Sequence, residues 1–174
     1  APANSKNLFA NMGKLKTVKG NLDVSRVTTM ESMFDYCGAL QSVDSKNWKQ
    51  SKNTNMAYMF YGCKALTDLD TSGWDLSSVT TMNQTFYNCS SLKTLDVSDW
   101  NVGNVDFFYY AFSGCSGLTY LDVSQWDVSK VTNMERIFYG CTGLNALKIK
   151  QWDVSSVTNL NYAFYTCNAL TELD

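Results

Sequence analysis

Residues 86–100 read FYNCSSLKTLDVSDW, and their reading decides the fold because the chain repeats their pattern. Phe86 stands three positions before Cys89, and Leu92 three positions after it. Cys37, Cys63, Cys89, Cys115, Cys141 and Cys167 follow one another at intervals of 26 residues. Each keeps its phenylalanine (Phe34, Phe60, Phe86, Phe112, Phe138, Phe164) and its leucine (Leu40, Leu66, Leu92, Leu118, Leu144, Leu170). Trp48, Trp74, Trp100, Trp126 and Trp152 recur in the same register. A constant period marks a stack of one small unit, which cannot bury its apolar face alone and must lean on its neighbours.

Two periodicities alternate within a unit. In VTNMERIFYGC (131–141) the apolar residues Val131, Met134, Ile137, Phe138 and Cys141 fall at helical offsets, which predicts one face of a short helix. Thr132 with Glu135, and Thr28 with Glu31, have the spacing of capping boxes. Gly62, Gly114 and Gly140, with Asn88 in the same column, suit a left-handed residue ending that helix. LKTLDVS (92–98) then predicts a short strand with Leu92, Leu95 and Val97 turned inward. The expected fold is an α/β repeat, a solenoid with one short parallel strand and one short helix per 26-residue coil, right-handed by the usual crossover bias.

The whole chain, residues 1–174, reads as a single solenoid domain of about six repeats. Phe9, Met12, Leu15, Val18 and Leu22 follow the repeat columns with one residue missing, so residues 8–22 are expected to form a degenerate N-terminal capping unit. At the other end LTELD stops inside a strand. The open apolar edge this leaves predicts a longer repeat array, truncated at this end.

The columns assemble into FxxCxxLxxLDxSxWDxSxVTxMxxxF, met at nearly every position by GCSGLTYLDVSQWDVSKVTNMERIFYGC (114–141). This pattern resembles the BspA-like leucine-rich-repeat surface proteins of bacteria, especially the repeat of mycoplasma and Gram-positive lipoproteins and wall-anchored proteins. The resemblance covers residues 8–174. It implies a leucine-rich-repeat solenoid, secreted or displayed at the cell surface, that binds a protein or glycan on a host or neighbouring cell. No family catalytic residues exist to carry over.

Composition narrows the chemistry. The chain has no histidine, which removes the commonest general base and zinc ligand and every Ser-His or Cys-His pairing. An enzyme is therefore not expected, and neither is a cofactor. A net charge of −2 gives no reason to expect nucleic acid as a partner. No apolar run approaches the ~20 residues a membrane span needs, so no membrane insertion by this segment is expected, and the chain reads as a monomer. The opening APANSK has no basic-then-apolar leader and assigns no compartment.

The cysteines, all pointing the same way from equivalent positions, are expected to form a buried column, reduced and unreactive. CxxC-type pairs, which zinc would want, are missing. Asp44, Asp70, Asp96, Asp122 and Asp174, interrupted by Lys148, form an acidic column, and Asp75, Asn101, Asp127 and Asp153 a second. Such turns can hold calcium; alternatively each carboxylate accepts hydrogen bonds from turn amides and the nearby serine. Lys148 in the row, and the lack of the glycines of calcium-binding repeats, favour the second reading. Regular columns of Ser (25, 51, 77, 129, 155) and Thr (28, 54, 80, 132, 158) raise an ice-binding alternative, but both break at Gly103 and Asp106.

That same unit is the place to look for binding. NVGNVDFFYYAF (101–112) puts Phe108 and Phe112 in buried columns and leaves Phe107, Tyr109 and Tyr110 where other units carry mostly polar residues. Tyr58 and Tyr162 share the column of Tyr110, while Tyr61, Tyr87, Tyr139 and Tyr165 follow the core phenylalanines. Clustered exposed aromatics serve protein and glycan contacts; the alternative is that the rings cover the seam between coils. Tyr120 marks a further surface on the strand face. Around Trp48, Lys46, Lys49 and Lys52 offer a weak cationic patch on a turn expected to be solvated. The leading expectation is a surface-displayed binding module, with a rigid spacer as the alternative.

Overall fold

The computed structural model describes residues 1–20 and 22–174. Asn21, inside the expected capping unit, lies outside the described residues. Parallel bridges join Asn4, Thr29, Asn55, Thr81, Phe107, Asn133 and Asn159 in one row, so seven coils stack, the first beginning before residue 8. On another wall run six short strands: β1 (Thr17–Val18), β2 (Ser42–Val43), β3 (Asp68–Leu69), β4 (Tyr120–Asp122), β5 (Ala146–Lys148) and β6 (Glu172–Leu173). They form two parallel three-stranded sheets, β1-β2-β3 and β4-β5-β6. Register is in step with the repeat, Leu121 opposite Leu147 and Leu147 opposite Leu173.

Two expectations need correction. No α-helix occurs among the described residues. In the coil containing Cys89, the N–H groups of Met82, Gln84, Phe86 and Asn88 donate to the carbonyls of Phe107, Tyr109, Ala111 and Ser113 in the next coil. Those of Thr85, Tyr87 and Cys89 turn back three residues, to Met82, Gln84 and Phe86. Alternate amides therefore tie coils together, where a helix would keep all of them within its own segment. Gln84 and Asn88 sit at φ 54° and 56°, and a left-handed residue every fourth position cannot belong to a right-handed helix. The same pair of positions is left-handed in every coil, among them Tyr58 and Gly62, Tyr110 and Gly114, and Arg136 and Gly140. Consecutive four-residue turns place Met82, Thr85, Phe86 and Cys89 inward, all fully buried, at the offsets a helix would use. The threonines do not cap: Thr28, Thr54, Thr80, Thr132 and Thr158 each donate a hydroxyl to a carbonyl of the preceding coil.

The second correction concerns residues 92–98, which form no strand. Between Lys93 and Val97 the one backbone bond to a neighbouring coil, among the described residues, runs from Thr119 N–H to the Lys93 carbonyl (3.4 Å). The sheet is thus interrupted in the middle of the stack. Just upstream, the Thr71 hydroxyl takes the Asp96 carbonyl, whereas in the second sheet the equivalent contact is a backbone one, Val123 N–H to Lys148.

Inside, side chains stack along the solenoid axis. Phe9, Phe34, Phe60, Phe86, Phe112, Phe138 and Phe164 form a continuous column with ring centroids 5.1–5.8 Å apart. Trp48, Trp74, Trp100 and Trp126 form a second column at 5.7–6.1 Å. All six cysteines are free, five buried and Cys167 partly so. Each thiol points at the carbonyl of the phenylalanine of the preceding coil, 28 residues earlier for Cys37 and 29 for the others, Cys89 to Phe60 at 3.2 Å and Cys115 to Phe86 at 3.0 Å. The Phe86 carbonyl thus accepts both the Cys89 amide of its own turn and the Cys115 thiol of the next coil. Burial pushes the Cys115 thiol up to about 12 and holds the Cys89 thiol well above its ordinary value. A thiol held protonated is a poor nucleophile. Ellman's reagent should therefore leave the buried thiols of the native protein unmodified, react first at Cys167, and reach all six only on unfolding. Rapid native modification of several thiols would contradict the column.

Candidate functional site

The outer face of the turn wall carries the strongest non-core pattern. Tyr36 meets Tyr61 edge-on at 5.0 Å, Tyr58 lies 5.9 Å from Tyr61, and Tyr61 stacks on Tyr87 at 4.7 Å. Tyr87 continues to Tyr110 at 6.0 Å, and Tyr109 packs against Tyr110 at 4.4 Å. The Arg136 guanidinium then bridges the gap, 5.1 Å from Tyr110, 5.7 Å from Tyr139 and 4.9 Å from Tyr162. Tyr139 and Tyr162 both pack on Tyr165. Nine of the chain's ten tyrosines thus join with Arg136 in one stripe along the solenoid axis.

The stripe is half-buried in its middle and open at its ends, where Tyr36, Tyr162 and Tyr165 are more than half exposed. Ring stacking removes faces from water, while edges and hydroxyls stay available; a stacked ring also has little rotamer freedom left to lose on binding. Glu135 pairs with Arg136 at 3.1 Å, orienting a cation held over three rings. Tyr61 is pushed up to about 12, first by its hydrogen bond with Tyr36 and then by burial.

Of the sequence-predicted residues, Tyr58, Tyr109, Tyr110 and Tyr162 come together in this stripe. Phe107 is 43% exposed but makes no ring contact with the tyrosines, its backbone belonging to the bridged row. Tyr120 stands apart on the strand wall, in β4, its hydroxyl donating to Asp122 Oδ2 at 3.2 Å. Arg136 and Tyr36 were not singled out from sequence. Arg136 shares the 26-residue column of Tyr110 and Tyr162, but its reach across three rings depends on side-chain direction, which spacing does not carry.

The strand wall holds a cleft of about 600 Å³ where the sheet is interrupted. Asp68, Asp70, Asp96 and Asp122 line it together with the exposed Tyr120 ring, while Leu69, Leu95 and Val97 lie buried beneath it in the core. Asp70, Asp96 and Asp122 each use Oδ1 to accept from the N–H and hydroxyl of the serine two residues on, Ser72, Ser98 and Ser124. Asp127 does the same with Ser129, and Asp153 accepts the Ser155 N–H. The acidic columns are thus built as Asx-turns.

The serine hydroxyl first, then its amide, holds Asp70, Asp122, Asp127 and Asp153 below the usual carboxylate range. A depressed folded-state value stabilises above the unfolded aspartate value of about 3.9, and that contribution disappears as pH falls through the folded value. Melting temperature should therefore decline on acidification from about pH 5 to about pH 3. Alanine at Ser72, Ser124 and Ser129 together should flatten that decline, and an unchanged slope would remove the turns from the explanation.

In the unit around Trp48, Lys46, Lys49 and Lys52 are exposed. The turn is not simply solvated, however, because Gln50 and Asn53 are fully buried. They occupy columns filled elsewhere by Val24, Leu76 and Val102, and by Val27, Val79 and Val105.

The stacked geometry is that of a parallel-strand repeat protein with an aromatic stripe on one wall. Residues 3–93 and 65–173 match the family described as "Mycoplasma protein of unknown function, DUF285", and the chain belongs to that family. None of the curated protein sequences matches it. Among solved structures it is similar to a leucine-rich cell surface protein from Faecalibacterium prausnitzii, with 19% identity and a TM-score of 0.38 over 97% of this chain and 62% of that one. A leucine-rich-repeat protein from Bacteroides ovatus gives 18% identity and a TM-score of 0.41 over 97% and 63%. The functional domain of InlJ from Listeria monocytogenes, described as including a cysteine ladder, gives 19% and 0.35 over 88% and 34%. The chain thus spans less than two thirds of the length of each of these structures.

Proposed function

We propose that the chain is a non-enzymatic, extracellular binding module displayed at the cell surface, recognising a protein or glycan on another cell through the tyrosine stripe. One observation carries this reading: the tyrosines, apart from Tyr120, converge with Arg136 on a single outer surface. A core needs rings inside. Rings gathered outside, with hydroxyls at their rims, fit a contact surface that stacks on sugar faces or packs against a partner's apolar side chains. Extracellular display is what the resemblance to BspA-like proteins implies.

The decisive variant replaces Phe107, Tyr109 and Tyr110 with serine. The fold tolerates small polar residues there, since Ser32 occupies the Tyr110 column at φ 55° and Asn83 the Tyr109 column. Binding to arrayed glycans and immobilised extracellular-matrix proteins should fall at least about ten-fold, or ~1.4 kcal/mol, with circular dichroism unchanged. Retained binding would exclude this middle part of the stripe. An empty screen of the wild-type chain favours the spacer role, for which the continuous inter-coil hydrogen-bond ladder provides the stiffness.

A further inference from the structure

We infer that residues 1–174 associate head to tail, the outer face of the last coil of one copy receiving the first coil of a second copy. The inference rests on these two faces alone and is independent of the tyrosine stripe.

The last coil leaves core columns uncovered. Val154, Leu160 and Leu173 are 41%, 43% and 52% exposed, whereas their counterparts three coils earlier, Leu76, Met82 and Leu95, are buried. Phe164, Cys167 and Leu170 are partly buried where Phe86, Cys89 and Leu92 are fully so. The first coil is open in matching columns, with Phe9, Leu15 and Val18 partly buried and Met12 exposed. Inside the stack the next coil covers these columns, and each end carries one half of that contact.

The backbone gives the contact its direction. Ser5, Asn7, Phe9 and Asn11 donate their amides to the carbonyls of Thr29, Glu31, Met33 and Asp35 in the second coil. In the last coil the amides at the donating positions, Leu160, Tyr162, Phe164 and Thr166, have no partner among the described residues. In the first coil the carbonyls at the accepting positions, Asn4, Lys6, Leu8 and Ala10, have none either. Four donors at one end thus meet four acceptors at the other, in the same order and spacing as the inner contacts. A row of donors cannot pair with a second copy of itself, so the match excludes a two-fold contact between like ends.

Charge follows the same polarity. The first coil carries Lys6, Lys14, Lys16, Lys19 and Arg26 against Asp23, and the last carries Asp153, Glu172 and Asp174 against Lys150. Continuing the register of the inner strands, β1 of the second copy sets Thr17 on Glu172 and Val18 on Leu173, which brings Lys19 to Asp174. Unlike ends attract and like ends repel. A head-to-tail contact that does not close on itself builds open chains, in place of the monomer expected from the sequence.

The test is sedimentation velocity on the 174-residue chain from about 10 µM to about 1 mM. Mean mass should rise with concentration and pass beyond the dimer. Two variants each block one face. Leu160→Lys with Leu173→Lys places cations on the face that meets lysines, and Lys16→Glu with Lys19→Glu places carboxylates on the face that meets Asp174. All four positions are exposed, so circular dichroism should be unchanged. Each variant alone should remain monomeric at the highest concentration. Their equimolar mixture should form a dimer and nothing larger, because one intact face of each kind remains. A wild-type chain that stays monomeric would leave these faces to another occupant, a further coil or a different protein, and would overturn the proposal. So would a plateau at the dimer, wild-type assembly by either variant, or a mixture that stays monomeric.

Discussion

Replacing Phe86 with alanine is expected to lower the stability of the protein by about 3–5 kcal/mol, the largest loss of any single substitution argued for this chain. Phe86 is fully buried and touches three rings, Phe60 at 5.6 Å, Phe112 at 5.5 Å and Trp100 at 6.2 Å. Truncation removes its own transfer energy and leaves a cavity between two coils whose backbones are tied together and cannot close on it. For a chain of this size each kcal/mol moves the midpoint by roughly 2–4 °C, so a fall of about 10 °C or more should appear in a thermal scan. Phe86→Leu, which keeps most of the volume, should cost well under half as much. A loss below about 1 kcal/mol would mean that the ring column does not hold the coils together.

The opposite outcome is expected at Gln50 and Asn53. Both are fully buried, and Gln50 Nε2, Gln50 Oε1 and Asn53 Nδ2 find no hydrogen-bond partner among the described residues. An unmet buried polar group costs about 1–3 kcal/mol. The repeat itself supplies the remedy, since leucine and valine fill the equivalent positions at Leu76 and Val79. Asn53 Oδ1 does accept from Met30 N–H and, at 3.4 Å, from Asn55 N–H. The Met30 amide also donates to the Asn55 carbonyl at 3.0 Å, and the Asn55 amide, only partly buried, would turn to water at a cost that keeps the gain at the low end. Gln50→Leu with Asn53→Val should therefore stabilise by about 2–5 kcal/mol together, less than a simple sum because the sites are neighbours. The readout is a rise in urea midpoint at unchanged slope; a fall would show that these side chains meet partners invisible in the static structure.

The two substitutions illustrate how unevenly the fold could be read. Phe86 was legible because a position recurring at constant spacing can satisfy the same packing in every coil only if it faces inward. Gln50 and Asn53 are silent in the spacing, because no local pattern says whether a polar residue in an apolar column turns out to solvent or stays in. The helix expectation failed for a different reason. Two successive turns and one helical segment put apolar residues at the same three- and four-residue offsets, and only φ at Gln84 and Asn88, 54° and 56°, separates them. Asn88 and the glycines of its column hinted at the left-handed position, but nothing in the residue types Gln84, Tyr110 or Arg136 announces another one four residues earlier.

Sequence by itself determined the number of coils after the first, their period, the inward columns of Phe, Cys, Leu and Trp, and the concentration of tyrosines in a few columns. These follow from burial, which selects residue type position by position and so writes itself into the repeat. Tertiary structure alone decided that alternate amides bond between coils, that Arg136 closes the tyrosine stripe over three rings, and that the sheet lapses between β3 and β4 to leave a cleft. Each of these depends on backbone dihedrals or on contacts between residues about 26 positions apart. Such contacts are set by how one coil lies on the next, and no single unit of the sequence contains that information.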